Sequence, residues 1–209
     1  MEAQEALFDA IADALVERGY WIADEVLPAS LSKALLNDFD QLQASEFKSA
    51  GIGRQTDFQL EEKIRADKIH WLAGDTEATA DFLQWMDLLK SGLNRRLFMG
   101  LFDYESHFAH YPVGAFYKKH VDAFRAKDGR AQSNRVLSTV FYLNENWLPE
   151  NGGELLIYDQ SDSGILHRLS PVFGRLVIFL SEKFPHEVLP ANRERKSIAG
   201  WFRVNESII

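Results

Sequence analysis

His120-Val121-Asp122 is answered far downstream by His186 and then by Arg195. Imidazole and carboxylate are ligands that suit iron(II), and two histidines with one carboxylate cover one face of an octahedron, leaving three positions open. Successive side chains on a strand point to opposite faces, so His120 and Asp122 on one strand would project to the same side. They would grip one metal while Val121 packs away, and His186 from a facing strand would complete the set. The open positions suit a bidentate organic acid and dioxygen. A second, distal carboxylate on such an acid calls for a fork-shaped cation. Arg195 has the parity for that role. Arg195, Ser197, Ala199 and Trp201 alternate, so a strand that buries Trp201 also points Arg195 inward, where it needs a carboxylate partner. Arg193 and Lys196 then belong to a solvated loop end.

A lone His-x-Asp is common by chance, so its weight comes from its surroundings. The other histidines, His70, His107, His110 and His167, read as surface or partly buried hydrogen-bonding groups. His107 and His110 differ in parity on one strand and cannot face one metal together without a bulge. Lys118, Lys119, Arg125, Lys127, Arg130 and Arg135 make a locally basic stretch. It is either a solvated face or a docking surface for an acidic partner.

The elements that must position these residues are legible from periodicity. Ala6, Leu7, Ala10, Ile11, Ala14 and Leu15 form a helical stripe within residues 3 to 18, ended by Gly19. Tyr20 to Val26 reads as a short strand. Pro28 opens a second helix that runs to about Phe47. Ser49 to Lys63 has glycines and no clean period, and reads as a mobile loop. Ile64 to Leu72 reads as a strand and Thr76 to Phe98 as a long helix. Eight short β-rich segments follow, at 104–111, 115–119, 135–143, 154–158, 164–169, 176–179, 186–190 and 197–204. Helices first and strands later indicate an α+β chain, and closely spaced strands suit a jelly-roll-like barrel. Asn151-Gly152-Gly153 is a turn signal, not a phosphate loop.

The chain has 209 residues, a length that suits one domain. Its formal net charge of −8 disfavours broad binding to a nucleic-acid backbone. It contains no cysteine, which excludes disulfides, zinc–thiolate sites, iron–sulfur clusters and thiol nucleophiles. The acidic amphipathic start lacks the pattern of a signal peptide, and no apolar run approaches a membrane span. A soluble cytoplasmic protein is the expectation, with no membrane or nucleic-acid partner, acting as a monomer.

Several ordered motifs add a more specific signal. HYPVGAFYKKHVD (His110 to Asp122), FYLNENW (Phe141 to Trp147), GGELLIY (Gly152 to Tyr158) and FPHEVLPANRERKSIAGWF (Phe184 to Phe202) together resemble the 2-oxoglutarate- and Fe(II)-dependent prolyl 4-hydroxylases. The resemblance is to those acting on the hypoxia-inducible transcription factor and to their bacterial counterparts. Upstream, IRADKIHWL (Ile64 to Leu72) resembles the family's substrate-loop strand. The chain departs from the pattern in Val113-Gly114-Ala115-Phe116, one residue shorter than the family's glycine-rich stretch, and in a longer basic segment after Asp122. The resemblance covers residues 60 to 203 and implies a double-stranded β-helix, cupin-like, backed by N-terminal helices. Residues 1–98 would be mainly helical support with a substrate loop, and 99–209 the β core, in one oxygenase domain.

Carried over by position, the resemblance implies His120, Asp122 and His186 as iron ligands. It implies Arg195 as partner of the distal carboxylate of 2-oxoglutarate, and Tyr117 and Tyr142 as its hydrogen-bonding tyrosines. Arg65 and Asp67 would stand near the peptide entrance; the plain alternative for them is a surface ion pair, worth little. The implied cofactor is Fe(II), the cosubstrates 2-oxoglutarate and O2, with ascorbate as a candidate further cofactor. The implied reaction is hydroxylation of a prolyl residue in a protein or peptide, with elongation factor Tu a candidate substrate among bacterial relatives. Two other readings stay open: a hydroxylase of a free amino acid or other small molecule, and a non-catalytic module that senses iron or 2-oxoglutarate. The intact His120, Asp122, His186 and Arg195 weigh against the last.

Overall fold

The computed structural model describes residues 2–50, 64–123, 133–162 and 164–205. In chain order the elements are α1 (Glu2–Glu17), β1 (Tyr20–Ala23), α2 (Ala29–Gln41), β2 (Lys48–Ser49), β3 (Lys68–Trp71), α3 (Glu77–Leu97), β4 (Leu101–Tyr111), β5 (Tyr117–His120), β6 (Arg135–Tyr142), β7 (Leu155–Tyr158), β8 (Ile165–Leu169), β9 (Leu176–Leu180), β10 (His186–Val188) and β11 (Arg195–Val204). The strands form two antiparallel sheets. The larger has the order β1-β9-β6-β11-β4-β3-β2 and the smaller β5-β10-β7-β8.

Alternation along the strands sorts the core into two layers. Phe108, Leu137, Phe141, Ile178, Ile198 and Phe202 leave one face of the large sheet and pack against Phe8, Ile11, Leu35, Phe82, Met86 and Leu89 of the three helices. Residues of opposite parity, among them Ala109, Tyr111, Tyr142, Val177 and Phe179, turn inward and meet Leu155, Ile157 and Val188 of the small sheet. The helices thus seal the back of the large sheet, and its front shares a chamber with the small one. This is the expected double-stranded β-helix with helical backing.

Local chemistry explains the helix ends. Thr76 caps α3 through a reciprocal pair of hydrogen bonds with Thr79. Gly19 ends α1 at φ +83°, and a side chain there would meet the Phe184 ring at 2.9 Å. The second helix stops at Gln41, not near Phe47. Leu42 is already extended, and the Glu46 carboxylate accepts the Gln43 N–H at 2.7 Å, which closes a turn. The turn lets Phe47 double back on Phe39, with ring centroids 5.3 Å apart. In an unbroken helix those eight residues would span about 12 Å.

The strand expected from Ile64 divides in two. Ala66 N–H donates to the Phe116 carbonyl and Lys118 N–H to the Ile64 carbonyl, so residues 64–66 run along β5 of the small sheet. From Lys68 the chain pairs with β4 of the large sheet. This segment therefore joins the two sheets beside the chamber. Of the loop expected over Ser49 to Lys63, Ser49 belongs to β2, and residues 51–63 lie outside the described residues. Arg125, Lys127 and Arg130 of the basic stretch also lie outside them.

Candidate metal centre and cosubstrate chamber

His186 opens β10 directly opposite His120, the last residue of β5. Their ring centroids are 4.3 Å apart. Asp122 lies beyond the end of β5, in a bend. Strand alternation is therefore not what brings it beside His120. Its carboxylate is held from the other sheet, by the Ser138 hydroxyl at 2.6 Å, while Ala123 N–H donates to the Ser181 carbonyl. The result still gathers the three side chains. Asp122 Oδ1 is 3.5 Å from His120 Nε2, and Oδ2 is 3.6 Å from His186 Nε2. Among the described residues this is the one cluster whose ligand atoms could share an ion, all within 4.8 Å of one another.

Both imidazoles are oriented for coordination. His120 Nδ1 lies 2.8 Å from the Lys118 carbonyl, and His186 Nδ1 lies 3.0 Å from that of Phe184. A carbonyl only accepts, so each Nδ1 carries the hydrogen and each Nε2 presents its lone pair to the cluster. Burial pushes the His186 pKa down to about 4, which keeps it a neutral ligand at neutral pH. Burial works against the Asp122 carboxylate, but the neighbouring imidazoles of His186 and His120 and the hydrogen bond from the Ser138 hydroxyl outweigh burial and hold it well below the usual carboxylate range. One anion and two aimed imidazoles fit Fe(II).

Arg195 is 2% exposed at the start of β11. Its Nε donates to the Gly153 carbonyl at 3.1 Å, and Nη2 points to the Tyr142 hydroxyl at 3.4 Å. Gly153 has φ +70°, and a side chain there would meet Ala191 at 2.8 Å, so the carbonyl that steadies Arg195 depends on glycine. The Tyr111 and Tyr142 rings flank the guanidinium at 4.8 and 5.0 Å. Among the described residues no carboxylate pairs with it. A buried guanidinium without an anion is costly, and a ligand carboxylate would remove that cost. Lys196 has the opposite parity and pairs with Asp40 on the helix side. Along the inward face of β11, Arg195 is followed by the small side chains Ser197 and Ala199, and Ser197 pairs with Ala109 of β4.

The remaining expected residues divide. Tyr142 stands at the Arg195 end. Tyr117 stacks on the His120 ring, with centroids 3.6 Å apart and 17° between planes, and Arg65 covers its other side at 4.4 Å. Arg65 and Asp67 are not a surface pair. Arg65 grips both Asp67 oxygens, at 2.8 and 2.6 Å, and the Asp67 side chain is wholly buried. Burial opposes the charge of Arg65, but the Asp67 bonds and charge overcome it and raise its pKa. Tyr111 escaped the sequence reading, although it sits in the HYPVGAFYKKHVD motif. Its signal is register: β4 pairs it with Arg195. Ser138 and Ser181 also escaped it, because a hydroxyl on a strand carries no pattern that separates it from a filler.

His107, read as an ordinary histidine, lies on the chamber face between the rings of Trp71 and Trp201, at 4.9 and 5.4 Å. Burial depresses its pKa to about 3, against an unfolded value of 6.5. As pH falls below 6.5 the unfolded chain takes up this proton and the folded one does not. The stability tied to His107 is therefore complete above pH 6.5 and lost toward pH 3, by at most about 1.4 kcal/mol per unit. His107→Leu should flatten the acid side of the stability profile, measured by urea unfolding of the metal-free protein from pH 7 to 5. An unchanged slope would show that His107 is solvated.

Comparison with known proteins fits this geometry. A model of the 2OG-Fe(II) oxygenase superfamily matches residues 106–203, which include the triad and Arg195. The crystal structure of a Pseudomonas putida prolyl-4-hydroxylase superposes with a TM-score of 0.82 and 42% sequence identity, covering 95% of this chain and 99% of that one. The chain belongs to the Fe(II)- and 2-oxoglutarate-dependent prolyl hydroxylases. A prolyl hydroxylase from Trichoplax adhaerens, in complex with a hypoxia inducible factor oxygen degradation domain peptide fragment, has a TM-score of 0.81 and 28% identity, covering 97% of this chain and 91% of that one. The hypoxia-inducible factor prolyl hydroxylase of Caenorhabditis elegans is 28% identical over 90% of this chain, which spans 27% of that longer protein. As a 2-oxoglutarate-dependent dioxygenase of this family, the protein takes Fe(II), 2-oxoglutarate and O2. When bound, these supply the oxidant that places one oxygen atom on a substrate C–H bond, with release of succinate and CO2.

Proposed function

We propose that this prolyl hydroxylase acts on a prolyl residue within a protein, with His120, Asp122 and His186 holding iron and Arg195 holding the distal carboxylate of 2-oxoglutarate. The observation that carries the cosubstrate assignment is the buried Arg195, without a carboxylate among the described residues, in the same chamber as the His–Asp–His cluster. Tyr142 and Tyr111 flank that end. Burial raises the pKa of both phenols, so they stay protonated. A phenol hydroxyl can then donate to a carboxylate. Tyr117 braces His120 and completes the chamber near the metal.

Substrate enters, on this reading, beside the segment that joins the two sheets. Arg65 faces that entrance and Asp67 holds it from beneath. An extended peptide is favoured over a free amino acid by the Trichoplax relative, which has a peptide bound. No helix among the described residues is long and apolar enough to cross a membrane. A cytoplasmic monomer acting on protein, not nucleic acid, accords with the acidic composition. Elongation factor Tu is the first substrate to try. The test compares the proteins of cells with and without this gene by mass spectrometry, seeking a proline that gains one oxygen. The same proline should be hydroxylated in vitro with succinate released in equal amount. Oxygen found on a free amino acid, and on no protein proline, would overturn the protein reading.

A further inference from the structure

The triad is held by both sheets, and its carboxylate is the member held by the large one. His120 and His186 sit on paired strands of the small sheet and are aimed by their own main chain. Asp122 has left that sheet. Its Oδ2 accepts the Ser138 hydroxyl at 2.6 Å, and Ser138 Oγ lies 2.9 Å from Ser181 Oγ. Ser138 is on β6, opposite Phe179 of β9, and Ser181 follows the end of β9. The two serines are 1% and 0% exposed, so water does not compete for these bonds.

Proton counting gives the chain a direction. An ionised carboxylate only accepts, and a serine hydroxyl has one hydrogen to give. Ser138 spends that hydrogen on Asp122, so it must accept from Ser181. Ser181 is itself pinned by its main chain: its N–H donates to the Val136 carbonyl at 3.0 Å, and its carbonyl accepts Ala123 N–H at 3.3 Å. Among the described residues no hydroxyl or main-chain amide hydrogen-bonds to Oδ1. One oxygen is thus engaged by the large sheet, and the other is left toward His120.

We propose that Ser181 and Ser138 form a one-way hydroxyl relay that positions Asp122 from the large sheet and leaves Oδ1 as its metal-binding oxygen. The relay fixes the carboxylate rotamer against the two histidines of the small sheet. By engaging Oδ2 it keeps the carboxylate to one metal bond, so the positions needed by 2-oxoglutarate and O2 stay open. Ser138 and Ser181 are positioning residues. Neither reaches the reacting atoms.

Fe(II) affinity, measured by anaerobic calorimetry on the intact protein, tests the relay without reference to turnover. Ser138→Ala should bind Fe(II) about 10–100-fold more weakly, the usual loss when a partner of a metal ligand is removed. Ser138→Thr, which keeps the hydroxyl, should bind within a few-fold of the unaltered protein. Ser181→Ala should fall between them, since it keeps the bond to Asp122 but frees its donor to turn. The visible charge-transfer band of the anaerobic Fe(II)–2-oxoglutarate complex should shift in the two alanine variants and not in Ser138→Thr. Should Ser138→Ala fail to fold, Ser181→Ala carries the same comparison. Alanine variants with unaltered affinity and band would overturn the relay. A threonine variant as weak as the alanine one would also overturn it, by showing that packing volume matters and the hydroxyl does not.

Discussion

Asp122→Ala is expected to abolish turnover and to weaken Fe(II) binding by more than ~100-fold, beyond the loss typical of a residue behind a ligand. Asp122 is the one anion among three ligand side chains whose atoms lie within 4.8 Å. Removing it leaves two imidazoles to hold a dication, and leaves the Ser138 hydroxyl without its acceptor. Asp122→Asn separates the two losses. The amide oxygen can still accept from Ser138, so the fold and the loop position should survive, but the negative charge is gone. Asparagine should therefore resemble alanine in metal affinity and the unaltered protein in thermal stability. Anaerobic calorimetry and a melting curve read the two quantities. Undiminished iron affinity in either variant would sink the ligand assignment.

The parts of this site that the sequence made legible are those governed by local periodicity. The long third helix and the inward parity of Arg195 both follow from side-chain spacing, because 3.6- and 2-residue periods are set by backbone geometry. The pairing of His186 with His120 needed the resemblance, since register between distant strands is not written in either strand. The same limit hid Tyr111, which matters because β4 lies beside β11, and the two serines, which matter because β6 and β9 lie behind Asp122. Asp122 shows the limit differently. The expectation that it lies beside His120 holds, but the strand ends at His120, and a tertiary hydrogen bond does the placing. The second helix stops at Gln41, short of the expected Phe47, because packing of the Phe47 ring on Phe39 and His110 requires a turn. Arg65 and Asp67 could be read as a surface pair because sequence does not report depth. Their burial comes from the chain crossing between sheets there.

Removing the guanidinium of Arg195 should separate binding from stability. Arg195→Met roughly keeps the side chain's length and apolar stem but offers no hydrogen to a carboxylate. Loss of a buried charge-assisted pair costs about 2–5 kcal/mol, so 2-oxoglutarate should bind ~30- to several thousand-fold more weakly. Fe(II) affinity should change little, since Arg195 shares no hydrogen bond with the triad. Stability of the cosubstrate-free protein should not fall with it. Among the described residues no anion stands beside this buried cation, a cost of folding that methionine does not incur, and apolar replacement of buried charge is often neutral or stabilising. Arg195→Lys should recover only part of the affinity. An ammonium cannot keep the bond to the Gly153 carbonyl and also meet a carboxylate with a planar fork. Arg193 provides the control, because it is exposed and its guanidinium lies over Trp147. Titration with 2-oxoglutarate in the presence of iron and absence of oxygen, beside thermal unfolding, measures both quantities. A large effect of Arg193→Ala with none from Arg195→Met would mean that the register of β11 has been misassigned. A drop in stability of the empty Arg195→Met protein would mean that the guanidinium already has its anion.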